Sequence, residues 1–363
     1  MTRRPVAVVT TRCHPDLGGI ESHVGEVTRR LVALGHEVEV LTTDRTGLLA
    51  RVEEVDGYRI RRFRALPRER DWYASPGLAW WLLRHRYAAV HVQGIHTLVP
   101  PLAMLLAWLT RTPYLVTFHT GGATSALRQR LRGPQFAVLA PLIRRARVRI
   151  GVSEFERRRF EELAGVPVRV IRNGGALPDP GADAPAPDHD LVVSVGRLEM
   201  YKGHHRAIAA LARLRRRRPG ARLRILGAGP AEPALRALAD ELGVADAVTI
   251  TEVPPLDRRA MARELAGAGA VTLLSEYEAH PVAVMEALAL GRPVVVARTS
   301  GLAELESLGW ARAVDLDADP DEVAEALARQ LDAPVVPDVA SLPTWEGCAA
   351  ALGAVYDEVL LER

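Results

Sequence analysis

Short apolar runs alternate with longer amphipathic stretches along the whole chain, the pattern of buried parallel strands joined by helices. Residues 6–11, 37–42, 58–64, 89–93, 114–118, 148–152 and 168–171 read as strands. Between them, recurrence at helical spacing predicts helices over 19–34, 76–86, 96–109, 123–147 and 154–164. The second half repeats the scheme, with strands at 191–195, 223–226, 247–251, 270–274 and 293–296. Its helices are expected over 204–218, 257–266 and 282–290, from 301 onward, and over 345–361. One tract, 176–190 (ALPDPGADAPAPDHD), has no period and is rich in Pro, Ala, Gly and Asp, which marks a linker. The pattern predicts an α/β protein of two βαβ domains, 1–175 and 191–344.

Composition narrows the class. The 363 residues are 48% hydrophobic and 25% charged, as in an ordinary soluble globular protein of two domains. Cys13 and Cys348 offer neither a disulfide framework nor metal-ligand spacing, so a reducing cytosol is expected. The apolar run near the amino terminus, broken by Arg12 and Pro15, is too short for a signal segment. Residues 98–109, interrupted by Pro100 and Pro101, fall short of a membrane span. The net charge of +3 is unevenly divided, with 28 Arg against 16 acidic residues through Pro180 and an excess of acids afterwards. A basic first half suits peripheral contact with the inner membrane face or an acidic acceptor, and Arg scattered over solvated faces accounts for it equally. The basic runs lack interleaved aromatics, so no nucleic-acid partner is expected.

Of 47 basic residues 46 are Arg and one is Lys202; the single Asn is Asn173. Both are worth inspecting, because a compact ammonium is not replaced by a planar guanidinium. Arg197 and Lys202 share one strand-to-helix loop, opened by Gly196 and closed by Gly203, so both can converge on an anion such as a pyrophosphate. His204 and His205, without acidic or Cys neighbours, read as an exposed helix start. In 275–301, Glu278 lies in a loop after a strand and Glu286 lies in the next helix. Carboxylates there can accept hydrogen bonds from sugar or ribose hydroxyls, and an exposed loop Glu beside a surface pair is the plainer alternative. Gly18-Gly19 puts backbone N–H groups at a helix start, suited to an anion, although such pairs also mark tight turns. His119 ends a strand and precedes Thr120-Gly121-Gly122, a position suited to a cleft or to a capped loop. Asn173 opens an Asn-Gly-Gly turn tolerant of positive φ. Gly227-Ala228-Gly229-Pro230 imitates a dinucleotide fingerprint, but the third Gly is missing, which argues against a dehydrogenase.

Taken in order, several of these motifs resemble one family. They are Gly18-Gly19 with Gly35-His36, the His119 loop, Asn173-Gly174, Gly196-Arg197 to Lys202-Gly203, Gly227 to Pro230, and Glu278, Glu286-Ala287-Leu288 and Gly291-Arg292-Pro293-Val294. The set, spread over about residues 6–360, resembles the GT-B-fold retaining glycosyltransferases that include glycogen synthases, sucrose synthases and phosphatidylinositol mannosyltransferases. The resemblance implies two Rossmann-like domains facing a central cleft, with the C-terminal helix, 345–363, crossing back to the first. It implies retaining transfer of a hexosyl group from a UDP- or GDP-hexose to a hydroxyl of a small-molecule, lipid or glycan acceptor. No cofactor and no metal are expected. Arg197 and Lys202 would neutralise the donor diphosphate, Glu278 would accept from sugar hydroxyls and Glu286 from the ribose. Gly196, Gly227, His280, Val282 and Ala283 would complete the donor site. His119 would lie beside the sugar, Gly18 and Gly19 would approach phosphate or acceptor, and Asn173 would lie on the acceptor side. One departure stands out. Where the family shows Gly-Phe-Gly after the first Glu, this chain has Ala279-His280-Pro281, so an N–H donor is lost at Pro281 and the His280 imidazole is its substitute. A nucleotide-sugar epimerase of the same fold, or a non-catalytic nucleotide-sugar-binding protein, are the alternatives.

Overall fold

The computed structural model describes every residue except 1–3, 17, 69–72, 96, 121–125, 255 and 362–363, and the backbone alone of 126–135. The chain divides into two units, residues 1–173 with 345–363, and residues 174–344. The sequence put the boundary at 175 and the linker at 176–190. Instead, Gly174 and Gly175 belong to the second unit, and a strand starts inside the tract at Asp188. The reason is packing: a Cβ on Gly175 would stand 2.3 Å from the Met285 carbonyl carbon, so the backbone itself is seated there.

The first unit is an eight-stranded sheet of β1 (Val6–Val9), β2 (Val38–Asp44), β3 (Val52–Val55), β4 (Tyr58–Arg64), β5 (Ala89–Gln93), β6 (Tyr114–Thr117), β7 (Val148–Gly151) and β8 (Arg169–Val170). Its order is β3-β4-β2-β1-β5-β6-β7-β8, parallel except for β3. Runs such as VAVV in β1 are buried at every position, because helices cover both faces. The antiparallel β3, VEEV, was not anticipated: on the sheet edge it alternates exposed and half-buried positions and lacks an apolar run. The terminal helix, Trp345–Leu361, belongs to this unit and packs on Gly19–Ala33, with Arg30 donating to Glu346 at 2.8 Å.

The second unit is a six-stranded parallel sheet of β9 (Asp188–Val195), β10 (Arg222–Leu226), β11 (Val248–Thr251), β12 (Ala268–Leu273), β13 (Val294–Ala297) and β14 (Arg312–Val314), in the order β11-β10-β9-β12-β13-β14. That is the doubly wound order, in which the strand sequence reverses direction between β9 and β12. Three elements went unread in the sequence: the helices Glu232–Glu241 and Pro320–Asp332, and β14. The second of these helices carries a capping box, Asp319 with Glu322, that could have flagged it. Among the described residues no helix is long and apolar enough to cross a membrane.

Candidate functional site

In an open parallel sheet the loops beyond the carboxyl ends of the strands flanking the reversal form a ligand crevice. In the second unit these are the loop after β9, with Arg197 and Lys202, and the loop after β12, with Glu278. The structure joins them. Lys202 Nζ donates to Glu278 Oε1 at 2.6 Å, and Ser275 Oγ donates to the same oxygen at 3.0 Å. Burial, the largest single influence, works against the Lys202 ammonium, but the Glu278 charge, the nearby Tyr201 and the hydrogen bond to Glu278 together hold the group above its ordinary value. The Glu278 backbone is also fixed, its N–H donating to Ser300 Oγ at 2.7 Å and its carbonyl accepting from Gly301 N–H at 2.9 Å.

Arg197 turns toward Glu199, at 2.8 Å, and donates to Tyr201 Oη at 3.0 Å, while Tyr201 stacks on Tyr277 at 4.7 Å between ring centroids. Its charge is close enough to disfavour that of Lys202, so the two cations share one neighbourhood. His204 departs from expectation. It is fully buried, pairs with Ser194 Oγ at 2.8 Å and reaches the Arg197 carbonyl at 3.3 Å. Burial lowers it to about 4, so it serves as a neutral clamp on the Gly196–Arg197 turn. Gly227 explains the imitation fingerprint: a Cβ there would lie 2.0 Å from the Gly196 carbonyl oxygen, so the turn after β10 packs directly on the turn after β9.

Glu286 is buried, and its carboxylate is paired with Arg258 on the neighbouring helix Arg258–Ala266 rather than with the Lys202 cluster. Val282 and Ala283 begin the helix Val282–Ala289, where first-turn N–H groups have no intrahelical acceptor. His280, expected to face a ligand in place of lost backbone donors, is 6% exposed and lies two residues before this helix. Asp-x-Asp occurs at 188–190 and three times over in the run 315–321, where Asp188 pairs with Arg222, Asp190 with Arg218 and Asp315 with Arg298, and Asp319 caps the helix Pro320–Asp332. Among the described residues no group of three His, Cys, Asp or Glu side chains could hold a metal ion.

In the first unit His119 follows β6 and is seated by Phe118, which stacks on Phe160 at 3.5 Å. His119 Nε2 donates to Gln93 Oε1 at 2.9 Å, and its ring meets that of His23 edge-on at 4.8 Å. His23 in turn bonds Asn173 Oδ1 through Nδ1 at 2.8 Å, and burial lowers it to about 4. His119 and Asn173 are therefore brought together, through a histidine the sequence reading did not single out. The Asn173 turn contains no positive φ, and the Asn side chain is bonded to His23. Gly18 is the extended residue before the helix Gly19–Ala33; Gly121 and Gly122 lie outside the described residues.

Glu156, also overlooked, is fully buried and accepts from the backbone N–H of Thr120 and, at 2.9 Å, from that of Val152, so it anchors the His119 loop. Burial pushes its carboxyl up to about 7, from 4.5, against the pull of those amides. An acid raised on folding is destabilised in the native state once ionised. Stability should therefore fall as pH rises from about 4.5 to about 7. At about 1.4 kcal/mol per unit the loss is on the order of 3 kcal/mol. Denaturant titrations at pH 5 and 8 check this: Glu156→Gln starts lower, with one amide unpaired, but should lack that component of the slope. Equal slopes in both proteins would refute the assignment.

Comparison with known proteins follows the same two units. Residues 17–175 match the family model "Glycosyltransferase Family 4", and residues 181–339 match "Glycosyl transferases group 1". The chain is 30% identical to D-inositol 3-phosphate glycosyltransferase of Thermobispora bispora, over 95% of this chain and 91% of that protein. It is 29% identical to glycogen synthase of Mycobacterium tuberculosis, over 94% and 91%. Among solved structures, sucrose-phosphate synthase from Thermosynechococcus elongatus superimposes with a TM-score of 0.80 at 21% identity, over 99% of this chain and all of that one. HepE of Anabaena, solved with UDP and glucose, gives 0.67 at 17%, over 99% and 98%.

Proposed function

The chain belongs to the group 1 glycosyltransferases, and from that premise we propose that it moves a hexosyl group from a UDP- or GDP-hexose to a hydroxyl acceptor, retaining anomeric configuration. The observation that carries the reading is the Lys202–Glu278 pair, held across the two loops at the sheet reversal of the second unit. Lys202, with Arg197 nearby, supplies positive charge where a departing diphosphate develops negative charge. Such pre-placed electrostatics is often the largest catalytic term. Because Lys202 and Ser275 both occupy Oε1 of Glu278, its Oε2 is left to accept from a sugar hydroxyl. Glu278 is thus a poor nucleophile, and the reaction proposed is same-face: the sugar–phosphate bond breaks, the acceptor oxygen bonds the anomeric carbon, and a diphosphate oxygen takes the acceptor proton. With two cations in place, the transfer needs no divalent ion.

The acceptor class to try first is a polyol or its phosphate, given relatives named for D-inositol 3-phosphate and for glycogen. Calorimetric titration with UDP, GDP and ADP, then turnover of the matching hexose donor in chelator, tests the reading. One nucleotide should bind, and the product should keep the donor's anomeric configuration by NMR. Binding without transfer would favour the non-catalytic alternative, and failure of all three nucleotides would remove the donor site.

A further inference from the structure

Behind His119 lies a buried chain of polar side chains that the proposed transfer leaves without a task. Gln93 and His91 project from β5, Thr117 ends β6, and Tyr356 comes from the terminal helix; all four are at most 3% exposed. His119 Nε2 donates to Gln93 Oε1 at 2.9 Å, and Gln93 Nε2 donates to His91 Nε2 at 3.3 Å. His91 Nε2 also meets Thr117 Oγ1 at 2.7 Å, and its Nδ1 lies 2.7 Å from Tyr356 Oη. A carboxamide has one accepting end and one donating end. Whichever end faces His91, the opposite end faces His119.

We propose that Gln93 is a positioning residue for His119, its amide oriented by His91 and Tyr356 so that the His119 proton sits on Nε2 and the lone pair on Nδ1. The order of control runs inward from the terminal helix. In the proposed arrangement Tyr356 accepts from His91 Nδ1–H, so His91 Nε2 accepts. Gln93 then presents its NH2 to His91 and its oxygen to His119. Burial lowers His91 to about 3, so the ring stays neutral and always has one donating and one accepting nitrogen. Which nitrogen of a histidine is protonated is set by the bond the other one makes. A lone pair on Nδ1 equips His119 to accept from a ligand hydroxyl rather than to donate to a phosphate oxygen. This consequence rests on His119 facing ligand in the transferase reading, whereas the relay itself does not. Also packed around the His119 ring and loop are His23, neutral by burial, and Glu156, which holds the Thr120 amide.

The test uses the full chain, ligand-free and labelled with 15N-histidine, in long-range 1H–15N NMR spectra. His119 is identified by the signals lost in His119→Asn. Wild type should carry the proton on Nε2. In Tyr356→Phe, His91 loses the acceptor at Nδ1 and moves its proton to Nε2, toward Thr117. The Gln93 amide then turns over and the His119 proton moves to Nδ1, three hydrogen bonds from the altered atom. Adding Gln93→Glu, whose two oxygens accept from both rings, should return it to Nε2. An unchanged His119 tautomer in Tyr356→Phe, or a wild-type proton on Nδ1, overturns the proposal. If Tyr356→Phe does not fold, Gln93→Leu replaces it: the preference for Nε2–H should be lost, and its retention is equally fatal. Because no ligand is present, failure here is separate from failure of the transferase reading, which turnover reports.

Discussion

Lys202→Ala should lower kcat/KM by roughly 10²–10³, the cost of removing one pre-placed donor from a developing anion. Binding of the nucleoside diphosphate should weaken by about 1.5–3 kcal/mol, the range for a hydrogen bond to a charged group. The same substitution also strands Glu278, whose side chain is only 16% exposed, and unpaired buried charges are costly by about 3–5 kcal/mol. Stability and turnover must therefore be separated. In Lys202→Ala/Glu278→Ala no charge is stranded, so the melting temperature should recover most of what the single variant loses while turnover stays low. Lys202→Arg should recover binding only in part, because a planar fork does not reproduce a compact ammonium. If the double variant regained turnover along with stability, Lys202 would be a structural partner of Glu278 and no more.

Gly203→Ala should be among the most damaging small substitutions in the second unit, costing more than about 4 kcal/mol. Gly203 has φ of 77° and ends the turn Met200–Lys202. A Cβ there would stand 2.0 Å from the Leu274 carbonyl oxygen, which is backbone and cannot swing aside. This contact lets the loop after β9 lie against the loop after β12, and so delivers Lys202 to Glu278. Gly243 is the control. Its φ of 66° is similar, but a Cβ there meets nothing within 4 Å, so Gly243→Ala pays only the left-handed backbone penalty of about 1–2 kcal/mol. Thermal and denaturant unfolding of both variants decides the matter. Equal losses would mean that the backbone conformation, and not the apposition of the loops, is what Gly203 supplies.

Most of the elements, and their alternation, are legible along the chain, although β3, β14 and two helices are not. A parallel strand covered on both faces must be apolar at nearly every position, as in VAVV of β1 and VVVA of β13, and the helices between must be amphipathic. The sequence by itself also pointed to the two loops of the second unit, because a lone Lys among 47 basic residues stands out wherever it lies. Tertiary structure decided the rest. Glu286 reads as a companion of Glu278 along the chain, yet its partner is Arg258, 28 residues away on another helix. His204 reads as surface and is core. Nothing in the local pattern around Gln93, Glu156 or Tyr356 separates them from ordinary strand and helix residues. His91 and Tyr356 are 265 residues apart and meet because the terminal helix packs into the first unit. Periodicity is a property of neighbours along the chain, whereas a polar contact depends on which strands lie side by side and which glycine lets two backbones touch.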